Sequence, residues 1–272
     1  MDGTGVIAAI FGAPRGLVGV IHLRALPGTP GSRDAVEAIA EAAVAEARLY
    51  RAAGFGGLVV ENMHDRPYLK RTAGPEVVAA MAVVASEIRR EVALPVGIQV
   101  LAGANRQAIA VAHACGARFV RVEGFVFAHV ADEGLMESDA GELLRYRRAI
   151  GAEDVRVFAD VKKKHSAHAI TADVDLAETA RAAELFLADG VVVTGTSTGR
   201  PADPAEVKAV SEAVGIPTLV GSGITAENIG EYAHADAFIV GSSLKKDGLW
   251  SSPLDPARAE ALVGAFEKLE PR

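Results

Sequence analysis

Val220-Gly221-Ser222-Gly223-Ile224 and Val240-Gly241-Ser242-Ser243-Leu244-Lys245 each carry a short β-branched strand into a loop of glycine and serine. Small residues at a strand end let backbone N–H groups approach an anion closely. A single Gly-Ser-Gly is an ordinary turn. Two such ends in succession, closing a chain of repeated strand–helix units, match the phosphate cup that (β/α)8 barrels build after their last two strands. Gly221, Ser222, Gly223, Gly241 and Ser242 are therefore the expected phosphate-binding residues, joined by Lys245 if its loop turns inward. The plainer alternative is a pair of tight turns.

Upstream of these loops, short apolar runs alternate with alanine-rich amphipathic stretches, the pattern of βαβ units in a parallel sheet. Strands are expected at Leu17–Leu23, Leu58–Asn62, Val96–Leu101, Phe119–Glu123, Val155–Val161, Gly190–Thr194, Thr218–Gly221 and Ala237–Gly241. Their continuous Val/Ile/Leu character suits strands covered on both faces. Helices are expected at Ala35–Ala53, Pro75–Val92, Asn105–Cys115, Asp139–Ile150, Asp173–Ala188, Asp203–Val214, Ala226–Tyr232 and Pro256–Leu269. Pro75, Asp173 and Asp203 supply start signals, and Gly54, Gly116 and Gly215 supply stops. Eight strands with eight following helices predict one α/β domain, a closed (β/α)8 TIM barrel over residues 1–272 with an N-terminal extension over 1–16. An open doubly wound sheet competes, but no Gly-x-Gly-x-x-Gly follows the first strand. The Gly124–Glu137 connection is long for a βα loop and carries Phe125, Phe127 and His129, so it reads as a lid or as a surface excursion packing its own apolar residues.

At 272 residues the chain has the length of such a barrel, roughly 250 being typical. A net charge of −7 with interspersed acids and bases argues against nucleic acid or anionic membrane as the main partner. No apolar run reaches the roughly twenty residues of a membrane span, and the N-terminus has no basic lead-in of a signal peptide. Cys115, the single cysteine, forms no internal disulfide and points to a reducing compartment. The expectation is a cytoplasmic protein with no integral membrane segment, taking a phosphorylated small molecule, with homo-oligomerisation left open.

In a barrel, chemistry sits at the C-terminal ends of strands and in the loops that follow. Those positions hold His22 and Arg24, Glu61 and Asn62, Gln99, Arg121 and Glu123, Asp160, Lys162 and Lys164, and Thr194 and Thr196. So many polar groups at the ends of apolar strands imply a shared polar cavity. In Asp160-Val161-Lys162-Lys163-Lys164, period-two alternation places Asp160, Lys162 and Lys164 on one face and turns Lys163 away. A buried lysine beside a carboxylate either stays charged or loses its proton and acts as base or nucleophile. Proton abstraction, aldol-type chemistry through a Schiff base and phosphate neutralisation are all open to such a set. A solvated lysine run with Asp160 as its ion partner is the bland alternative.

Glu61 and Glu123 end strands two and four, where inward carboxylates suit general acid and base roles or, with Asp160, a Mg²⁺ ion. Ion pairs with Arg24 or Arg121 would equally well occupy them. His22 suits an acid–base group or a hydrogen-bonded core histidine. The catalytic candidates are thus Asp160, Lys162, Glu61, Glu123 and His22, with Arg24, Asn62, Gln99, Arg121, Lys164, Thr194 and Thr196 lining the pocket. No His-x-His or cysteine cluster supports zinc, and no cofactor beyond Mg²⁺ is suggested.

Gly19-Val20-Ile21-His22-Leu23-Arg24-Ala25-Leu26-Pro27-Gly28, with Val60-Glu61-Asn62, Gly97-Ile98-Gln99-Val100-Leu101, Asp160-Val161-Lys162, Val193-Thr194-Gly195 and Gly221-Ser222-Gly223, resembles the BtpA family over nearly the whole chain. The resemblance implies a relative of ribulose-phosphate-binding barrels and a phosphate cup. It also implies a link to photosystem I biogenesis, which is associated with the founding cyanobacterial members. Phosphoribosylanthranilate isomerase-like barrels place a cysteine on the first strand where this chain has His22. Asp160-Val161-Lys162 is similar to the Asp-x-Lys of orotidine-phosphate decarboxylase-like barrels. There the motif lies on an earlier strand and continues to a further aspartate, where this chain has His165.

Three functions compete: an enzyme acting on a phosphorylated metabolite by isomerase- or lyase-type chemistry, a non-catalytic assembly factor, and a phosphate-ligand sensor. The strand-end polar set favours the first over the second, because assembly needs no ring of ionisable groups in a cavity.

Overall fold

Each expected apolar run forms a strand: β1 (Gly16–His22), β2 (Gly57–Glu61), β3 (Val96–Gln99), β4 (Phe119–Val122), β5 (Arg156–Val161), β6 (Gly190–Thr194), β7 (Thr218–Gly221) and β8 (Ala237–Val240). The structure, a computed structural model, describes residues 3–195, 197 and 199–269. The strands close in chain order into a parallel barrel, β1 pairing with both β2 and β8. That last ladder removes the open doubly wound sheet.

Alternate residues point into the barrel. Val18, Val20, Val59, Phe119, Phe158 and Val192 belong to one buried cluster inside it, while the intervening strand residues join the larger layer beneath the helices. Glycines make room for the interior rings. A Cβ on Gly97 would lie 2.2 Å from the Phe119 ring, and one on Gly190 would lie 2.7 Å from Phe158. Further along each strand the same alternation brings in polar groups: Glu61, Gln99, Arg121, Asp160 and Thr194 are all buried. The interior therefore changes from apolar to polar toward the C-terminal end of the barrel.

The N-terminal extension contains α1 (Gly3–Phe11), which lies across the opposite end. Ile7 and Ile10 join the interior cluster, and the Phe11 ring meets Phe119 edge-on at 5.9 Å. The outer layer is α2 (Val36–Ala53), α3 (Pro75–Val92), α4 (Asn105–Cys115), α5 (Ala140–Ala149), α6 (Leu176–Leu185), α7 (Pro204–Ala213) and α8 (Pro256–Phe266). Tyr50 on α2 passes so close to β1 that a Cβ on Gly19 would stand 2.5 Å from its ring, and its hydroxyl donates to Val20 O at 3.0 Å.

Two expected helices differ. The segment Ala226–Tyr232 is a 3-10 turn over Ile229–Tyr232. Asn228 accounts for this, since its side chain accepts from Thr225 N at 2.8 Å and donates to Gly223 O at 2.9 Å. Those bonds give the local backbone an alternative to the helix ladder. The helix expected from Asp173 begins at Leu176, because Asp175 is the cap, accepting from Glu178 N at 2.7 Å.

The long Gly124–Glu137 connection folds into an antiparallel hairpin of His129–Ala131 and Gly134–Met136. A third short strand, Ser166–Ala167, pairs with it from the β5 loop. Phe125 and His129 are buried.

Candidate active site

Arg121 is the hub of the barrel mouth. Its Nε and Nη2 donate to Asp160 Oδ1 and Oδ2 at 2.8 and 3.0 Å, a bidentate pair from the adjacent strands β4 and β5. The remaining Nη1 stands 3.6 Å from Glu61 Oε1, an ion contact too long for a hydrogen bond. Glu61 Oε2 is in turn 3.8 Å from His22 Nε2. Inward alternation on four strands thus brings His22, Glu61, Arg121 and Asp160 together, as the sequence predicts.

Burial raises the Glu61 carboxyl pKa, opposed chiefly by Arg121. His22 Nδ1 lies 2.9 Å from the carbonyl oxygen of Trp250. A carbonyl only accepts, so Nδ1 carries the hydrogen and Nε2 keeps its lone pair toward Glu61. Burial, with help from nearby Lys245, pushes the His22 pKa down to about 3, so the ring is neutral.

Beside this group stands a second one. Glu123 Oε2 accepts from Lys163 Nζ at 3.2 Å, and its Oε1 accepts from Gln99 Nε2 at 3.4 Å. Asn105, at the start of α4, donates to Glu123 O at 2.9 Å and to the Asp139 carboxylate. Arg71 completes the frame, donating to the carbonyls of Glu123 at 3.0 Å and Gly124 at 2.7 Å and pairing with Asp139 at 3.0 Å. Sequence reasoning missed Arg71, which lies in a loop with no motif around it.

The lysine run is arranged differently from the alternation. β5 ends at Val161, and Lys162 adopts φ +47, so period two does not extend past it. Lys162 Nζ donates to Val174 O, away from the Arg121 group. Lys163, expected to turn away, faces Glu123 instead. Lys164 lines the mouth beside Glu61 and Arg121.

The mouth holds two adjoining cavities that share Glu61, Met63, Arg121 and Lys164. One is walled by His22, Ser222, Gly223, Gly241 and Ser242. The other is walled by Tyr68, Gln99, Glu123, Lys163 and His165. Gly221 and Gly241 bring backbone beside Arg121 and His22 with no side chain between. A Cβ on Gly221 would stand 3.5 Å from Arg121 Nη2, and one on Gly241 would stand 3.4 Å from His22 Nε2. Gly223 adopts φ +69, and its Cβ would meet Pro201 N at 2.2 Å. Ser222 holds φ +81, an uncommon conformation for a residue with a side chain. Glu61 Oε1, Gln99 Oε1 and Thr194 Oγ1 are buried without a hydrogen-bond partner.

Other expected site residues go elsewhere. Arg24 pairs with Asp34 at 3.2 Å on the surface. Lys245 is buried against Glu46 of α2, so its loop turns away from the glycine–serine cup. Asn62 accepts from Leu101 N at 2.7 Å and donates to Asp65 at 2.9 Å, a loop-fastening role. Thr196 lies outside the described residues. Among the described residues no three His, Cys, Asp or Glu side chains gather as a metal ion would require, and no helix is long and apolar enough to cross a membrane. The carboxylates expected to hold Mg²⁺ with Glu61 are engaged by cations, Asp160 by Arg121 and Glu123 by Lys163.

A family model, that of the BtpA family, matches residues 13–268. An uncharacterised mitochondrial protein of Caenorhabditis elegans is 46% identical over 259 residues, which cover 93% of this chain and 94% of the relative. The photosystem I biogenesis protein BtpA of Synechocystis is 38% identical over 252 residues, covering 92% and 87%. Among solved structures, (S)-3-O-geranylgeranylglyceryl phosphate synthase from Thermoplasma acidophilum has a TM-score of 0.62 at 16% identity, covering 98% of this chain and 99% of its own. Orotidine 5′-phosphate decarboxylase from Pyrococcus horikoshii has a TM-score of 0.58 at 14% identity, covering 92% and 99%. At these identities the two structures establish the barrel fold.

Proposed function

The chain belongs to the BtpA family, and from that premise and the chemistry of its barrel mouth we propose an enzyme that binds a small phosphorylated metabolite and works on it by isomerase- or lyase-type acid–base catalysis. One observation carries this reading: Ser222, Gly223, Gly241 and Ser242 share a single cavity with Arg121, Lys164, Glu61 and His22. Partly buried small residues at the last two strand ends suit a phosphate, and buried ionisable groups beside them suit the reacting carbons. Glu61, whose carboxyl is held toward its protonated form by burial, is the proton donor. His22, neutral and with its tautomer fixed by Trp250, presents Nε2 as a hydrogen-bond acceptor beside it. Arg121 supplies a charge that Asp160 keeps in place. The like-folded synthase and decarboxylase are both named for phosphorylated ligands, which is in keeping with this reading.

The test is a thermal-shift screen against sugar phosphates, phosphoribosyl compounds and nucleotides, with and without Mg²⁺. A ligand at a hundred times its Kd stabilises the native state by about 2.7 kcal/mol, so even an unforeseen compound registers. Stabilisation that disappears in Ser242→Asp, whose position lines the same cavity, is the expected result. No shift from any phosphorylated compound overturns the proposal.

A second reading, an assembly factor acting through its surface, is favoured by the name of the Synechocystis relative and by one surface feature. Leu185, Phe186 and Leu187 stand exposed in succession at the C-terminal end of α6, at the end of the barrel opposite the mouth.

A further inference from the structure

We propose that Lys164 is an imine-forming nucleophile, so that the metabolite taken at the mouth is an aldose or ketose phosphate whose carbonyl reaches Nζ; this rests on the reading of the mouth as a phosphate-binding enzyme site. Arg121 is engaged by Asp160, Lys163 by Glu123, Lys162 by the Val174 carbonyl and Lys245 by Glu46. Of the lysines just named and Lys164, only the Lys164 ammonium has neither a hydrogen bond nor an ion pair among the described residues, yet it lines both mouth cavities. An amine so placed is open to an incoming carbon.

Its backbone is held on both sides. Left-handed φ values at Lys162 (+47) and His165 (+55) bracket it. Ser166 then pairs with Ala131 of the hairpin, so the turn is fixed between β5 and the small sheet. The charges around it are those that imine formation needs. Burial first, and then Arg121, push the Lys164 pKa down, making the free amine more accessible, while Glu61, Asp160 and Glu123 lie close enough to oppose that shift. A desolvated lysine next to another cation is a recognised way to activate an amine toward carbonyls.

The step balances without a redox partner. The neutral Nζ attacks the carbonyl carbon, and Glu61 gives its proton to the oxygen, forming a carbinolamine. Loss of water then leaves a protonated imine. Counted from the ammonium, one C=O bond and two N–H bonds are replaced by one C=N bond and one molecule of water. The iminium withdraws electrons from the adjacent carbon, so a C–H or C–C bond there can break with its electron pair delocalised onto nitrogen.

Reductive trapping tests this. The protein is incubated with glycolaldehyde phosphate or glyceraldehyde 3-phosphate and cyanoborohydride, with unphosphorylated glyceraldehyde as control, and adducts are located by peptide mass mapping. Phosphate anchoring raises the local aldehyde concentration, so the expected result is a reduced adduct on Lys164 forming at least about tenfold faster than on any surface lysine. The adduct should be absent in Lys164→Met and present in Lys162→Met. Adducts spread evenly over surface lysines, or none on Lys164, overturn the proposal. A parallel thermal shift with inorganic phosphate separates the two readings. Stabilisation without a Lys164 adduct overturns the imine and leaves the phosphate reading standing, whereas absence of both overturns both.

Discussion

Arg121 and Asp160, on adjacent strands of the barrel, meet as a two-point pair at 2.8 and 3.0 Å with both side chains almost wholly buried. Removing one partner of such a pair strands the other without solvent. Arg121→Met should therefore cost about 3–5 kcal/mol in urea unfolding. Replacing both with Arg121→Met/Asp160→Leu should recover much of that loss. A double variant as unstable as the single one would show that the pair is not what the arginine contributes.

Gly97 tests the packing that supports the mouth from below. Its missing Cβ is the space occupied by the Phe119 ring, 2.2 Å away. Gly97→Ala should destabilise by about 1–3 kcal/mol, the usual range for overpacking. Pairing it with Phe119→Leu should be less costly than the sum of the two single changes, since the residues share one volume.

The pH dependence has a definite sign. His22 titrates at 6.5 when unfolded and at about 3 in the fold, so unfolding takes up a proton between those values. Its contribution is complete above pH 6.5 and is lost as the pH falls toward 3, with a slope of up to about 1.4 kcal/mol per pH unit. Asp139 acts in the opposite sense, since burial raises its pKa from 3.8 to about 6. Its contribution is fully present below 3.8 and is lost as the pH rises through 6. Urea midpoints followed downward from neutral pH should fall less steeply in His22→Gln than in the parent. Equal slopes would remove His22 as a source of acid lability.

Arg71 fastens the carbonyls of Gly103, Glu123, Gly124 and Glu137 and pairs with Asp139. Arg71→Ala should cost about 1.5–3 kcal/mol, the range for charge-assisted hydrogen bonds. It should also speed amide exchange in the His129–Met136 hairpin before it does so in β1 or β8. Uniform acceleration would mean a global rather than a local loss.

The barrel is legible in the sequence because its strands are short apolar runs and its helices carry caps and stops. Pro75–Val92 and Asn105–Cys115 appear with the bounds that pattern gives them. Inside the strands, alternation also locates Glu61, Gln99, Arg121 and Asp160. It fails where a strand ends. Past Val161 the left-handed turn at Lys162 redirects the side chains, so Lys163 and Lys164, not Lys162, reach the mouth. Lys245 is drawn off by Glu46, a partner 199 residues away that no local pattern reveals. The same holds for Trp250, whose carbonyl orients His22 from 228 residues away, and for Arg71. The apolar segment Val6–Phe11 gives no sign of its role, which depends on the shape of the interior it meets.

That segment has a kinetic consequence. With α1 packed into the N-terminal end through Ile7 and Ile10, and rings and valines filling the middle, the barrel is a cul-de-sac rather than a tunnel. Whatever arrives at Arg121 must leave by the way it came. Incoming and outgoing molecules then share one doorway, so a bound molecule bars the entry of the next until it departs.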